Sequence, residues 1–170
     1  RHVKDAGHHL LVIDDNAHLD EYYADVVLNQ NSHALDLSYR CGLDTDLLLG
    51  SHYVLLRNEF RNWRGKRRGN PEVASRILVT LGGGDPNNVT LKVVHALQQV
   101  NISGLEVVVV VGENNPHEAT IQSAILNGAS NFQIIRDVRD MPSWMAWADV
   151  AVSGGGSTCW ELAFLGVPAV

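Results

Sequence analysis

The second half of the chain alternates short apolar runs with segments of helical periodicity. Residues 77–81 (Ile-Leu-Val-Thr-Leu) form a run typical of a strand buried on both faces. The next segment has the spacing of one apolar helix face, at Val89, Val93, Leu97 and Val100. The alternation continues with predicted strands at 106–111, 132–135 and 150–152 and predicted helices at 117–126, 140–147 and 157–165. Strands that alternate with helices pair in parallel through right-handed crossovers, so we expect a doubly wound α/β domain over residues 73–170.

The first half is less regular and predicts only part of a domain. Residues 9–14 and 25–28 have the composition of strands, and 47–49 and 53–56 are shorter extended candidates. We interpret residues 1–56 as the C-terminal part of a first α/β domain. The chain begins without Met and stops at 166–170, where a buried strand is expected to start. A natural terminus seldom falls inside a core strand, so we expect a fragment truncated at both ends.

Composition narrows the class of protein. Of the 170 residues, 45% are hydrophobic, which is normal for a globular core and too apolar for a disordered chain. A formal charge of −6 argues against a general nucleic-acid binder. No apolar run exceeds five residues, against the roughly 20 that cross a bilayer. Stable membrane insertion is therefore not expected. Two isolated cysteines and no secretory signal predict a cytoplasmic protein.

Basic residues are concentrated between the two halves. Residues 57–68 contain six basic residues and one acid, a balance of +5 that leaves −11 for the rest. Glycines and Asn70-Pro71 accompany them, so we interpret residues 57–72 as an exposed basic linker. The alternative is a patch that faces a phosphate or an anionic membrane surface.

Three polar or glycine-rich loops follow predicted strands, at 82–85, 112–115 and 153–158. Chemistry in doubly wound sheets lies at the carboxyl ends of strands, where loops lead into helix N-termini. The third loop carries the strongest signal, because three glycines are followed by Ser157 and Thr158 at a helix start. Free amides and hydroxyls there predict phosphate binding. The alternative is that the glycines only permit a tight turn.

Two common nucleotide motifs are absent. Neither glycine run continues as G-x-G-x-x-G, and the only Gly-Lys, at Gly65, precedes Arg67 inside the linker. Neither NAD binding nor ATP hydrolysis is therefore supported. Glu161 lies one helical turn beyond the third loop, where its carboxylate could accept hydrogen bonds from a ribose. A capping or helix-dipole role is the equal alternative.

Several segments together resemble a known family. Residues 153–170, which read SGGGSTCWELAFLGVPAV, are similar to the nucleotide-binding segment of family 28 glycosyltransferases and their relatives. More narrowly, the chain resembles the UDP-2,4-diacetamido-2,4,6-trideoxy-β-L-altropyranose hydrolases of pseudaminic acid synthesis. The segments that match in order are VIDD at 12–15, DVVLNQN at 25–31, LG at 49–50, YVLLRNEF at 53–60, LGGGDPN at 81–87, DMP at 140–142 and AD at 148–149.

The resemblance implies a GT-B architecture, in which two Rossmann-like domains face each other across a cleft and the second holds a UDP-sugar. Residues 1–56 would then belong to the first domain and 73–170 to the second. The resemblance places Gly155, Gly156, Ser157 and Thr158 at the diphosphate, Glu161 at the ribose, Val138 and Met141 at the uracil, and Gly83, Gly84, Asp85 and Asn87 at the sugar-diphosphate side.

The resemblance also implies a reaction. Water attacks the anomeric carbon of the UDP-sugar and UDP leaves, with no metal and no cofactor. The general base would be a histidine in an N-terminal glycine-rich loop, and none of the eight histidines here has that context. We therefore expect the catalytic base upstream of Arg1. A metal site at Asp14, Asp15 and His18 is an alternative to simple polar residues at a strand end.

These features predict binding of a UDP-sugar and its hydrolysis in the full-length protein, for surface-glycan synthesis. Two alternatives remain open. A glycosyltransferase of the same fold would pass the sugar to a lipid or sugar acceptor. A module without catalysis would only bind the nucleotide sugar. The sequence makes no prediction of the oligomeric state.

Overall fold

A computed structural model describes residues 2–66, 68–69, 71–128 and 131–170 of the chain. The chain divides into two compact units, with the division between Leu55 and Leu56. Each unit is built around its own parallel β-sheet. The prediction of an α/β fold with parallel sheets is confirmed.

The first unit contains a three-stranded parallel sheet in the order β1-β2-β3. Its elements are α1 (His2–Asp5), β1 (Leu11–Ile13), β2 (Val26–Asn29), β3 (Asp46–Leu49) and two short 3-10 helices, Ser32–Asp36 and Ser51–Tyr53. The central strand β2 is buried, and Val27 packs with Tyr22 and Ala24 in a small core. The extended candidate at 53–56 is not a strand, because Tyr53 ends the second 3-10 helix.

The second unit contains a four-stranded parallel sheet in the order β6-β5-β4-β7. Its strands are β4 (Arg76–Thr80), β5 (Glu106–Val111), β6 (Phe132–Arg136) and β7 (Val150–Ser153). Its helices are α2 (Val89–Leu97), α3 (Glu118–Leu126), α4 (Met141–Trp147) and α5 (Ser157–Leu165). The chain runs outward from β4 to β6 and then crosses to the other side of β4. Strand order therefore reverses at β4, the position where doubly wound sheets bind ligands.

Helices cover both faces of this sheet. On one face, Leu78 and Val108 pack with residues of α4 and α5, including Met145 and Leu162. On the other face, the neighbouring strand positions pack with residues of α2 and α3, including Val94 and Ile121. Because side chains alternate along a strand and both faces are covered, the strands must be apolar at every position. This explains the uninterrupted valine run at 107–111.

The end of the chain lies beside β7. The Ala151 amide donates to the Pro168 carbonyl at 2.9 Å, and the Ser153 amide donates to the Val170 carbonyl at 2.9 Å. Val167 is buried. Residues 167–170 thus extend along the sheet edge where a fifth strand was expected.

The predicted basic linker is partly folded onto the second unit. Asn58–Trp63 forms a 3-10 helix, and Phe60 is only 1% exposed within the core under α4 and α5. The charge count concealed this, because exposed arginines such as Arg61 and Arg64 flank an aromatic side chain that points inward. Arg67 and Asn70 of the predicted linker lie outside the described residues. In the part of the chain that the structure describes, every helix is too short or too polar to cross a membrane.

Candidate functional site

A cavity of about 280 Å³ lies at the carboxyl edge of the second unit's sheet. The loops after β4, β5 and β6 and the start of α5 all reach it. They contribute Gly82 and Gly83, Gly112 and Glu113, Asp137 and Val138, and Ser157, Thr158 and Glu161. Arg57 and strand or helix residues such as Thr80, Val110, Val111, Met141 and Met145 complete the lining. Six of the eleven predicted UDP-binding residues therefore share one cavity: Gly83, Val138, Met141, Ser157, Thr158 and Glu161.

The third glycine loop leads directly into α5. Ser157 is the first residue of that nine-residue helix, and Ser157 and Thr158 line the cavity. The first amides of a helix have no partner within it, so this end can donate to an anion. Gly155 and Gly156 do not line the cavity, although both are exposed. A Cβ on either would meet no atom within 4 Å, and neither has a φ that favours glycine. The turn itself therefore does not require these two glycines.

The loop after β4 is fixed by a close contact with the loop after β5. A Cβ built on Gly112 would lie 2.5 Å from both the Cα and the carbonyl oxygen of Gly83. Real Cβ contacts are essentially never that short, so only glycine fits at residue 112. Gly82, with φ of 87°, turns the chain into this contact. The two loops thus touch backbone to backbone at the cavity wall.

Asp85 links the loop after β4 to the start of α2. Its carboxylate accepts hydrogen bonds from the amides of Val89 and Thr90, both at 2.8 Å. Burial alone would raise the pKa of Asp85, but the hydrogen bonds from Thr90 and Val89 outweigh burial and hold this pKa below its usual value. The helix α2 therefore begins at Val89 and not at Pro86. Of the four residues that the resemblance places at the sugar-diphosphate side, Gly84, Asp85 and Asn87 lie outside the cavity lining.

Glu161 is buried and points into the cavity. It is 4% exposed, and both carboxylate oxygens accept hydrogen bonds from the Arg57 guanidinium. The Arg57 Nε donates to Oε1 at 2.7 Å and Nη2 donates to Oε2 at 3.0 Å. The hydrogen bonds with Glu161 outweigh burial and raise the pKa of Arg57, and the nearby charge of Glu59 adds to this increase. Glu161 is thus held by a bidentate ion pair. Neither of the roles predicted for it, ribose binding and helix capping, included this interaction.

Arg57 could not be singled out from the sequence. Arg57 and Glu161 are 104 residues apart, and the arginine stood among five other basic residues in a segment interpreted as a linker. Its only distinction was its place in the YVLLRNEF segment that carries the family resemblance. The structure adds Arg57 to the cavity as its cationic side chain.

The loop after β6 forms the remaining wall. Asp137 has φ of 45°, and Val138 follows it into the cavity lining. Met141 begins α4, where the Asp140 carboxylate accepts a hydrogen bond from the Ser143 amide at 3.2 Å. Met141 is 6% exposed and still reaches the cavity. This wall offers backbone groups and an apolar side chain, which suits the edge and face of a base.

The cavity carries more acidic than basic side chains. Among the residues that the structure describes, the acids Glu113, Asp137 and Glu161 line it, and Arg57 is the one basic residue that does so. A bound diphosphate would therefore depend on backbone amides and hydroxyls more than on side-chain charge. The described residues contain no group of three or more histidine, cysteine or carboxylate side chains that could hold a metal ion.

The strand end in the first unit is arranged as a turn. The Asp14 carboxylate accepts from the amides of Asn16 at 3.1 Å and Ala17 at 2.7 Å, and from the Tyr39 hydroxyl at 3.0 Å. His18 Nδ1 lies 3.4 Å from the same carboxylate. Burial raises the pKa of Asp14, and the hydrogen bonds from Ala17 and Tyr39 more than offset burial, so that pKa is lowered. The Asp14 carboxylate, which the predicted metal site at Asp14, Asp15 and His18 would need, thus already accepts hydrogen bonds from the protein itself.

Comparison with known proteins gives a family and two relatives. The model of the glycosyltransferase family 28 C-terminal domain matches residues 76–170. The spore coat polysaccharide biosynthesis protein SpsG of Bacillus subtilis is 28% identical over 149 residues, which cover 87% of this chain and 43% of SpsG. The uncharacterized protein MJ1062 of Methanocaldococcus jannaschii is 25% identical over 178 residues, which cover 100% of this chain and 36% of that protein. The chain therefore spans about two fifths of the length of these relatives.

Proposed function

Because the chain belongs to the glycosyltransferase family 28 C-terminal domain family, we propose that its second unit binds a UDP-sugar in the cavity at the carboxyl edge of the sheet. The full-length protein would hydrolyse that substrate at the anomeric carbon, releasing UDP and a free modified sugar for surface-glycan synthesis. The observation that carries the proposal is the convergence of the α5 N-terminus and the buried Glu161 on one cavity.

The diphosphate binds at the start of α5. The amides and hydroxyls of Ser157 and Thr158 donate to its oxygens, and the exposed Gly155 and Gly156 leave room for the close approach of the ligand. When the bond to the anomeric carbon breaks, negative charge builds up on the diphosphate oxygens. Amides that are already oriented stabilise this charge without having to rearrange, which lowers the barrier for UDP departure.

The ribose binds at Glu161. A carboxylate has about four lone-pair sites, and Arg57 occupies two of them, so the remaining two can accept from the ribose 2′ and 3′ hydroxyls. The bidentate pair fixes the orientation of the carboxylate before the ligand arrives. The uracil lies against Val138 and Met141 on the opposite wall.

Hydrolysis requires a general base to take a proton from the attacking water. We expect the histidine that would act as this base in the remainder of the full-length protein, because the relatives are more than twice as long as this chain. Glycosyl transfer is the second candidate, favoured by the family match itself. The acceptor hydroxyl would then replace water at the anomeric carbon, while UDP would bind in the same way.

Calorimetry with UDP and 2′-deoxy-UDP tests the binding proposal. A hydrogen bond between a hydroxyl and a charged group contributes about 1.5–3 kcal/mol, so the wild type should bind UDP roughly tenfold or more tightly than 2′-deoxy-UDP. In Glu161→Gln this preference should shrink, and UDP should bind roughly tenfold more weakly. The exposed Glu72→Gln removes the same charge and should leave both affinities unchanged.

Two outcomes of this calorimetry would contradict the proposal. If folded wild type and Glu161→Gln discriminate equally between the two nucleotides, Glu161 does not bind the ribose. If the wild type binds neither nucleotide, the cavity is not a UDP site.

To distinguish hydrolysis from glycosyl transfer, the full-length protein is incubated with a UDP-sugar alone. Rapid release of free sugar supports hydrolysis, and dependence on an added acceptor supports transfer.

A further inference from the structure

A second groove lies on the outside of the second unit. Its volume is about 370 Å³, and its lining residues are Leu56, Arg57, Phe60, Arg61, Arg64 and Phe164. We call it the Phe164 groove. Phe164 is 38% exposed, and its ring packs edge-on against the buried Phe60 at a centroid distance of 6.4 Å. The groove therefore has an apolar floor with three guanidinium groups on its walls.

Two of these guanidinium groups are unpaired with acids. Arg57 is paired with Glu161 and Glu59. Arg61 reaches only the amide oxygen of Asn58, at 3.3 Å. Among the residues that the structure describes, no ion pair includes Arg61 or Arg64. Their charges are free to meet an anion supplied from outside.

Lys66 adds a third cation without an acidic partner among the described residues, and it lies beside an aromatic ring. Lys66 Nζ lies 4.3 Å from the centroid of the half-buried Trp63 ring. Exposed cations beside aromatic rings are typical of proteins that adsorb to the boundary between lipid headgroups and acyl chains. The segment 57–68 has a balance of +5 in a chain whose other residues sum to −11. Within this segment Arg57 pairs with Glu161 and Glu59, and Arg68 lies beside Asp149, so Arg61, Arg64 and Lys66 supply the exposed positive charge that the structure describes. Charge is thus segregated into one region, and not spread as on an ordinary soluble surface.

We propose that the Phe164 groove docks on the surface of an anionic lipid bilayer. The lipid phosphates meet Arg61, Arg64 and Lys66, and lipid headgroups enter the groove and contact the exposed part of Phe164. A free phosphate ion would satisfy the guanidinium groups and leave the aromatic floor unused, so a lipid surface fits the observed combination better. The acidic remainder of the chain does not prevent adsorption, because salt screens charges beyond about 8 Å at physiological ionic strength.

Co-sedimentation with vesicles tests this proposal. The chain should bind vesicles of phosphatidylcholine and phosphatidylglycerol in a two-to-one ratio, and should not bind vesicles of phosphatidylcholine alone. Each exposed cation near such a surface contributes a factor of about five, so the double variant Arg61→Gln/Arg64→Gln should bind roughly 25-fold more weakly. The variant Phe164→Ala should also bind more weakly. Binding by the wild type should decrease as the salt concentration rises.

The matched control is Arg40→Gln/Lys92→Gln, which removes two exposed cations elsewhere. This control should bind the anionic vesicles like the wild type. The proposal would be overturned by a lack of preference for the anionic vesicles, by an equal loss of binding in the control and the groove variant, or by displacement of the protein by millimolar inorganic phosphate. Equal binding of soluble polyglutamate at the same salt concentration would also overturn it, and would indicate an acidic protein partner. Calorimetry with UDP, whose site does not include Arg61 or Arg64, keeps this test separate from the nucleotide proposal.

Discussion

Replacing Gly112 by alanine should weaken nucleotide binding, because the added methyl group would overlap the backbone of Gly83. The residue lies directly after β5, and its backbone φ is not in the region that favours glycine. The added methyl carbon would lie 2.5 Å from the Cα and carbonyl oxygen of Gly83 and 2.8 Å from its carbonyl carbon. All three atoms are backbone atoms, so no side chain can rotate away. The loop carrying Gly83 must move.

The size of the effect follows from the overlap. Carbon atoms pack best at about 3.5–4.0 Å, so Gly83 must shift by roughly 1 Å. Gly83 lines the cavity, and the family resemblance places it at the sugar-diphosphate side. A shift of that size would take its backbone amide out of hydrogen-bond range of a diphosphate oxygen. The loss of one hydrogen bond to a charged group weakens binding by roughly tenfold or more. Overpacking of this kind also lowers the free energy of unfolding by about 1–3 kcal/mol.

Calorimetry with UDP on folded Gly112→Ala measures the first quantity, and urea unfolding measures the second. Gly69→Ala is the matched control, since a Cβ there meets no atom within 4 Å. It should behave like the wild type in both measurements. If Gly112→Ala unfolds at a lower urea concentration but binds UDP within twofold of the wild type, the reasoning that links Gly83 to the ligand is wrong.

Two further substitutions probe stability. Asp149 is 5% exposed; burial raises the pKa of its carboxyl, and hydrogen bonds from Arg76 and Ser75 outweigh burial and lower this pKa to about 2 from 3.8. A lowered pKa stabilises the fold above pH 3.8, and this stabilisation is lost as the pH falls towards 2. Asp149→Asn should therefore reduce the free energy of unfolding at pH 7 by roughly 2 kcal/mol. It should also weaken the pH dependence of urea unfolding between 4 and 2, and an unchanged pH dependence would contradict the assignment. Phe60→Ala should cost about 3–5 kcal/mol of unfolding free energy, as for a buried core residue. A loss below 1 kcal/mol, by contrast, would indicate that this segment is an exposed linker.

The fold of the second unit could be predicted because its strands are short, apolar and separated by helices. The apolar run at 107–111 identifies β5 without any tertiary information. The helix start at Val89 could not be predicted. Asp85 and Pro86 have the composition of a cap and a first turn, but Asp85 has a positive φ, and its carboxylate reaches across an intervening turn to Val89.

The candidate site was predictable where it follows from position relative to a strand. The order of glycine run, hydroxyls and carboxylate predicts Ser157, Thr158 and Glu161, and the structure brings these three residues to one cavity. The partner of Glu161 was not, because a contact between residues 104 positions apart leaves no trace in a single sequence. The inward side chain of Phe60 was missed for a related reason. Net charge reports the outside of a segment and carries no information about which residue points inward.

The two helical layers of the second unit have different relations to the cavity. The helices α4 and α5 contribute Met141, Met145, Ser157, Thr158 and Glu161 to its wall, whereas α2 and α3 contribute no residue to it. The layer formed by α2 and α3 supports the sheet from the other face, and the start of α2 also donates hydrogen bonds to Asp85. Substitutions in α2 and α3 should therefore change stability more than the shape of the cavity, whereas substitutions in α4 and α5 can change both.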